Sequence, residues 1–149
     1  MSINLAILGS GLFATNAYLP ALSQKSNAHV KLHTLWSRSE SSVNKLKEKA
    51  TELGHSPRVL HGDEGLQAIW DDKSVDAVSF VLPITAQPAL IRAAWKAGKH
   101  VLSEKPVGKD VQSARELVEE YERDWAPKGL VWRVAESERF ASKRYCEPL

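Results

Sequence analysis

Residues 6–22 read AILGSGLFATNAYLPAL. An apolar run from Ile3 to Leu8 enters two closely spaced glycines and leaves them as a segment of helical period, Phe13 to Ser23. Gly9, Gly11 and Ala14 fall at the G-x-G-x-x-A spacing that lets a strand turn sharply into a helix beside a bound diphosphate. Gly9 permits the tight turn, Gly11 lets the backbone approach a pyrophosphate, and Ala14 allows close packing of helix on strand. The free N–H groups at the start of that helix, around Leu12 and Phe13, would then hold the phosphates.

Working outward from this turn, short apolar runs alternate with longer stretches of helical period, the pattern of βαβ units on a parallel sheet. Strands are expected at Val30–Trp36, Arg58–Leu60, Asp76–Leu82, His100–Ser103 and Leu130–Ala135. Helices are expected over Ser39–Leu53, through Leu66, Ile69 and Trp70, and over Ala86–Ala97 and Asp110–Trp125. Ser39 and Ser41 are good N-caps, and Gly54 and Gly98 stop their helices. Right-handed crossovers then give an α/β fold: a doubly wound parallel sheet of the Rossmann type, six strands in the order 3-2-1-4-5-6. Residues 1–140 form the dinucleotide-binding domain and residues 141–149 a C-terminal tail.

The end of the second strand selects the dinucleotide. An acidic side chain there would bind the ribose 2′-OH of NAD, yet the stretch reads Trp36-Ser37-Arg38-Ser39, with no carboxylate before Glu40. Arg38 suits a 2′-phosphate, helped by the hydroxyls of Ser37 and Ser39, so NADP(H) is preferred to NAD. Ser39 also fits as the cap of the following helix, and the two roles are compatible.

The fifth strand delivers Glu104-Lys105-Pro106 to the carboxyl edge of the sheet, where such folds bind their ligands. A lysine aimed at the nicotinamide half of the site can hydrogen-bond a substrate hydroxyl or carbonyl and stabilise developing alkoxide charge. Glu104 would orient or pair with the ammonium group, and Pro106 fixes the turn.

AGKHVLSEKPVGKD at 97–110, together with LAILGSGLFA at 5–14 and VAESERF at 134–140, resembles the Gfo/Idh/MocA family of oxidoreductases. The resemblance implies a domain that binds NADP or NAD and acts on sugars, polyols or related carbonyl compounds. By position it implies Gly9, Gly11 and Ala14 at the pyrophosphate, Ser37 and Arg38 at the adenosine ribose and Pro83 beside the cofactor. It puts Glu104, Lys105 and Pro106 at the reacting centre. Two positions depart from the family pattern: Gln87 stands where a histidine is usual, and Ser137 replaces an asparagine. Family members also continue into an α/β domain that covers the nicotinamide and contributes the substrate pocket. No such sheet follows residue 135 in this sequence, so a nucleotide fold without its lid is expected. The alternative reading is a shortened relative without hydride transfer, acting as a cofactor-binding or regulatory module or as a non-redox enzyme in the same cleft.

Composition narrows the remaining classes. With 43% hydrophobic and 26% charged residues the 149-residue chain is an ordinary globular domain. A formal net charge of +2, spread along the chain, gives no basis for nucleic-acid binding. No run approaches the length of a membrane span and no signal sequence is evident. The single cysteine, Cys146, excludes an intrachain disulfide and suits the cytoplasm. His29, His33, His55, His61 and His100 lack ligand spacing, so no metal site is expected. The five tryptophans read as packing residues, with Trp36 also near the expected adenine position. The sixth strand, carrying Val131, Trp132 and Val134, is a thinly covered edge through which a homodimer would form.

Overall fold

The computed structural model describes residues 2–136. Ser137, Cys146 and the tail 141–149 lie outside the described residues.

Six parallel strands form one sheet in the order β3-β2-β1-β4-β5-β6. They are β1 (Ile3–Leu8), β2 (Val30–Ser37), β3 (Arg58–His61), β4 (Ala77–Phe80), β5 (His100–Ser103) and β6 (Trp132–Val134). The first helix, α1, covers residues 12–22. It is followed by α2 (Glu40–Glu52), α3 (Gly62–Asp71), α4 (Gln87–Lys96) and α5 (Val111–Glu120). The doubly wound order read from the strand and helix alternation is thus the order observed.

Alternating side chains along β1 separate two cores, because successive residues of a strand face opposite sides of the sheet. Leu5 and Ile7 join Leu32, Leu35, Val43 and Leu46 beneath α1 and α2. Ala6 and Leu8 join Val78, Phe80, Ile91, Trp95 and Leu117 beneath α3, α4 and α5. Ala14 and Leu19 are both fully buried. Although five residues apart, they share the buried face, with Ala14–Tyr18 wound as a π-helix before α1 continues as Leu19–Leu22. A regular α-helix would have put Tyr18, four residues on, nearer the face held by Ala14.

Around Trp95 the second core is aromatic: ring centroids of Tyr121, Trp125 and Trp132 lie 5.5, 6.1 and 5.3 Å away. Contacts of this kind contribute about 0.5–1.5 kcal/mol each beyond area burial. Tyr121, on the π-wound extension Tyr121–Trp125 of α5, donates to the Leu130 carbonyl at 2.9 Å and accepts the Trp132 N–H at 3.1 Å. This pins the short edge strand β6.

Two strands are shorter than their apolar runs. β4 stops at Phe80 although Val81 and Leu82 continue the hydrophobic pattern, because there the chain bends over the glycine turn and meets Pro83. β6 keeps only Trp132–Val134 of the expected Leu130–Ala135, and among the described residues it has a strand neighbour on one side alone. Val131 and Val134 remain exposed on that edge. No helix among the described residues is long and apolar enough to cross a membrane.

Candidate functional site

The glycine turn lies at the carboxyl end of β1, between the ends of β2 and β4. Gly9 has φ +122°, and its N–H donates to the Trp36 carbonyl at 2.9 Å. A Cβ on Gly9 would sit 2.1 Å from the Val81 carbonyl oxygen, so two strand ends meet there with no room for a side chain. Gly11 differs: a Cβ there would have no atom within 4 Å. Nothing in the packing of the described residues demands glycine at that position, and the space it leaves opens beside the first turn of α1. A backbone cradle of this shape, at a helix N-terminus with unpaired N–H groups, fits a diphosphate.

From this turn a cleft of about 550 Å³ runs toward the N-terminus of α2. Its walls are the glycine turn with Ser10, the Ser37–Arg38–Ser39 segment with Ser42, and Val81, Leu82 and Pro83. Ser10 donates to Ser37 Oγ at 2.9 Å, tying the turn to the end of β2. Ser39 caps α2, accepting from the Ser42 N–H, while its own hydroxyl donates to Ser42 Oγ at 2.7 Å. Arg38 is exposed at the cleft and forms no ion pair with the described residues. The nearest carboxylate in sequence, Glu40, lies 4.0 Å from His61 Nε2. An unpaired guanidinium with neighbouring hydroxyls, and no acidic lining residue, suits a phosphate better than a ribose diol.

The Pro83 wall rests on Gln87, at the start of α4. This side chain is fully buried and donates from Nε2 to the Leu82 carbonyl at 3.1 Å, while its Oε1 has no partner among the described residues. Trp36 is not an adenine platform. It is buried in the core and its indole N–H donates to the Gly62 carbonyl at 2.8 Å. The strand face that ends beside the cleft also points into packed α3, and burial of the large ring wins.

Glu104, Lys105 and Pro106 occupy the end of β5, outside the cleft lining just described. The Lys105–Pro106 peptide is cis. Lys105 is exposed and unpaired among the described residues. Glu104 does not pair with the ammonium as expected from sequence. Its Oε1 accepts the Tyr18 hydroxyl at 2.7 Å and its Oε2 accepts the Lys105 backbone N–H at 3.3 Å. Burial, and next the Glu104 carboxylate, push the Tyr18 phenol well above the ordinary tyrosine range. Phe13 packs edge-on against Tyr18, with centroids 5.8 Å apart, and Leu12 beside it is exposed.

Ser10, Ser42 and Tyr18 are thus site residues that sequence reasoning missed. Ser10 lies between the two motif glycines, and Ser42 is three residues beyond the cap, so both were within reach of the cap and turn patterns. Tyr18 had no such signal, because its partner is 86 residues away and its placement depends on the π-wound turn. Lys99, the first charged residue of the 97–110 stretch, belongs elsewhere. It is buried at the opposite edge of the sheet, where Nζ donates to the carbonyls of Asp72 and, at 2.9 Å, Val75. Among the described residues no group of three or more His, Cys, Asp or Glu is placed to hold a metal ion.

Comparison with known proteins agrees with this fold. Residues 3–126 match the model of an oxidoreductase family with an NAD-binding Rossmann fold, Gfo/Idh/MocA. Dehydrogenase FPY6 of Fusarium mangiferae is 37% identical over 97% of this chain, which spans 41% of that protein. The scyllo-inositol dehydrogenase of Lactobacillus casei, solved with NAD(H) and scyllo-inositol, superposes with TM-score 0.75. It is 25% identical over 97% of this chain and 39% of its own. KijD10, a 3-ketoreductase from Actinomadura kijaniata solved with NADP, shares the fold at TM-score 0.72 and 24% identity, over 97% of this chain and 42% of its own. With the six-strand order, the glycine turn and the Glu-Lys-Pro strand end in place, the chain belongs to the Gfo/Idh/MocA family of oxidoreductases.

Proposed function

We propose that this chain supplies the dinucleotide-binding domain of an NADP(H)-dependent oxidoreductase acting on a sugar, a polyol or a related carbonyl compound, with Lys105 at the reacting centre. The observation that carries the choice of NADP(H) is the unpaired Arg38 beside Ser39 and Ser42, in a cleft without an acidic lining residue. When bound, the cofactor supplies or accepts the hydride. The residues of this chain take the following parts. Gly11 leaves the space for the diphosphate, and the N–H groups of Leu12 and Phe13 face it at the helix N-terminus. Arg38 and Ser39 hold the 2′-phosphate, Ser37 closes the ribose side through Ser10, and Pro83 borders the cofactor. Lys105, free of a carboxylate partner because Glu104 is held by Tyr18, donates a hydrogen bond to the substrate oxygen and stabilises its developing negative charge. Pro106 sets the exit of the chain from β5. The exposed β6 edge is where we place self-association into a homodimer; sedimentation of a monomer at all concentrations would remove that element.

The test is a pair of titrations, NADPH and NADH, followed by nucleotide fluorescence on the wild type and on Arg38→Ala. Loss of one charge-assisted phosphate contact should weaken NADPH binding by about 10- to 100-fold and leave NADH within about threefold. Equal weakening of both nucleotides, or a wild type that prefers NADH, would overturn the assignment of Arg38.

A further inference from the structure

We propose that Tyr18 is a positioning residue of the Lys105 corner: its hydroxyl holds Glu104 Oε1, fixing the carboxylate whose other oxygen receives the Lys105 backbone N–H. The inference rests on the reading of Lys105 as the reacting group. Four observations carry it.

The hydrogen bond from Tyr18 is short, 2.7 Å, and joins the first helix to the end of the fifth strand across 86 residues of sequence. The residue reaches Glu104 because Ala14–Tyr18 is π-wound, with the Leu19 N–H bonded to the Ala14 carbonyl five residues back. One extra residue in a turn rotates those that follow by about 100° relative to an α-helix, and single π turns recur where a side chain must be re-aimed. The Tyr18 ring in turn carries Phe13 edge-on, in the first turn of the same helix. Glu104 is anchored a second time by its backbone N–H, which donates to the Phe80 carbonyl at 3.2 Å.

A carboxylate at the end of a strand, beside a lysine, would ordinarily be drawn to the ammonium. Here each oxygen already accepts a hydrogen bond, one from the phenol and one from the Lys105 backbone N–H, which fixes the carboxylate's orientation, and among the described residues the Lys105 ammonium forms no ion pair with it. Removing the phenol frees Glu104 to swing toward Lys105 Nζ, which takes the donor away from the substrate oxygen.

The experiment uses the protein without nucleotide, so its outcome is separate from that of the NADPH titrations. Amide hydrogen exchange at Lys105 is measured by NMR for the wild type, Tyr18→Phe, Glu104→Ala and the double variant, with thermal melting alongside. Tyr18→Phe keeps the ring against Phe13 and removes only the hydroxyl. Exchange at Lys105 is expected to rise about tenfold in Tyr18→Phe relative to amides of the β5 interior. The double variant should be no faster than Glu104→Ala, because both changes cut one chain of contacts. An unchanged Lys105 amide in Tyr18→Phe, or effects that add as if independent, would overturn the proposal. Should Tyr18→Phe fail to fold, the Tyr18 ring carbon shift followed against pH in wild type and Glu104→Gln decides. A Tyr18 titration that moves toward the ordinary tyrosine range in Glu104→Gln supports the link, and an unmoved one refutes it. A Lys105 amide that responds as stated in a protein binding neither NADPH nor NADH would keep the contact chain and defeat the redox reading on which its purpose depends.

Discussion

A side chain at Gly9 would overlap the Val81 carbonyl, whereas one at Gly11 would enter open space beside the α1 N-terminus. The two motif glycines therefore fail in different ways when replaced. Gly9→Ala combines a backbone clash at 2.1 Å with a φ of +122° that L-residues rarely adopt, and should cost about 3 kcal/mol or more of stability. Gly11→Ala should change stability by less than about 1 kcal/mol and reduce NADPH affinity about tenfold or more, since the methyl group fills the diphosphate space. Urea melts and nucleotide titrations of both variants separate the effects. The spacing alone made both glycines visible in the sequence. It could not tell which of them serves the protein's own packing, because that depends on how closely β4 approaches.

Tyr18 gives a pH signature at the same scale. Its phenol is raised by burial and then by Glu104, so its contribution to stability is complete below the unfolded tyrosine value of about 10 and is lost as pH rises through the higher folded value. The alkaline loss of stability should be shallower in Tyr18→Phe, as denaturant midpoints between about pH 8.5 and pH 11 would register. A wild type and variant with parallel alkaline slopes would show that the phenol is not coupled to folding.

Among the elements, the strands were readable because their side chains alternate between two apolar cores, and the helices because a single stripe faces the sheet. Winding was less readable. Residues 12–22 have an ordinary helical composition, and the π turn arises from tertiary packing that buries Ala14 and Leu19 together. The 97–110 stretch divides by element as well. Gly98 and Lys99 close the loop between α4 and β5, Glu104 to Pro106 follow the end of β5 at the proposed reacting centre, and Gly108 packs against the start of α5. A Cβ on Gly108 would approach the Ala114 backbone nitrogen to 2.6 Å. Lys99 is the clearest case of a motif residue with a structural duty. Lys99→Met takes the ammonium donor from the Val75 carbonyl and from the Asp72 carbonyl, which keeps only the Val75 N–H, and should cost about 1–3 kcal/mol, with NADPH affinity unchanged once the protein is folded. Loss of nucleotide binding at unchanged stability would place Lys99 in the site instead.

At the scale of the whole molecule, the doubly wound sheet brings the ends of β1, β2, β4 and β5 to one edge. The glycine turn, Arg38, Pro83 and Lys105 all follow strand ends at that edge, although 96 residues of sequence separate the first from the last. Helices α1 and α2 cover one face and α3 to α5 the other, and the cleft lined by the glycine turn and Arg38 opens along that carboxyl edge. Strand order and edge were legible from right-handed crossovers and the βαβ alternation. The partnership of Glu104 with Tyr18 was not, since no local pattern links a residue of the first helix to the end of the fifth strand.

The most direct test of the central claim is a map of backbone amide shifts in the ¹⁵N-labelled chain during titration with NADPH. Shifts are expected at Gly9 to Phe13, at Ser37 to Ser39 and at Glu104 and Lys105, with little change at Lys99 on the opposite edge. A saturable titration that moves none of these amides, or one confined to residues away from the carboxyl edge, would contradict the assignment of this cleft to the dinucleotide.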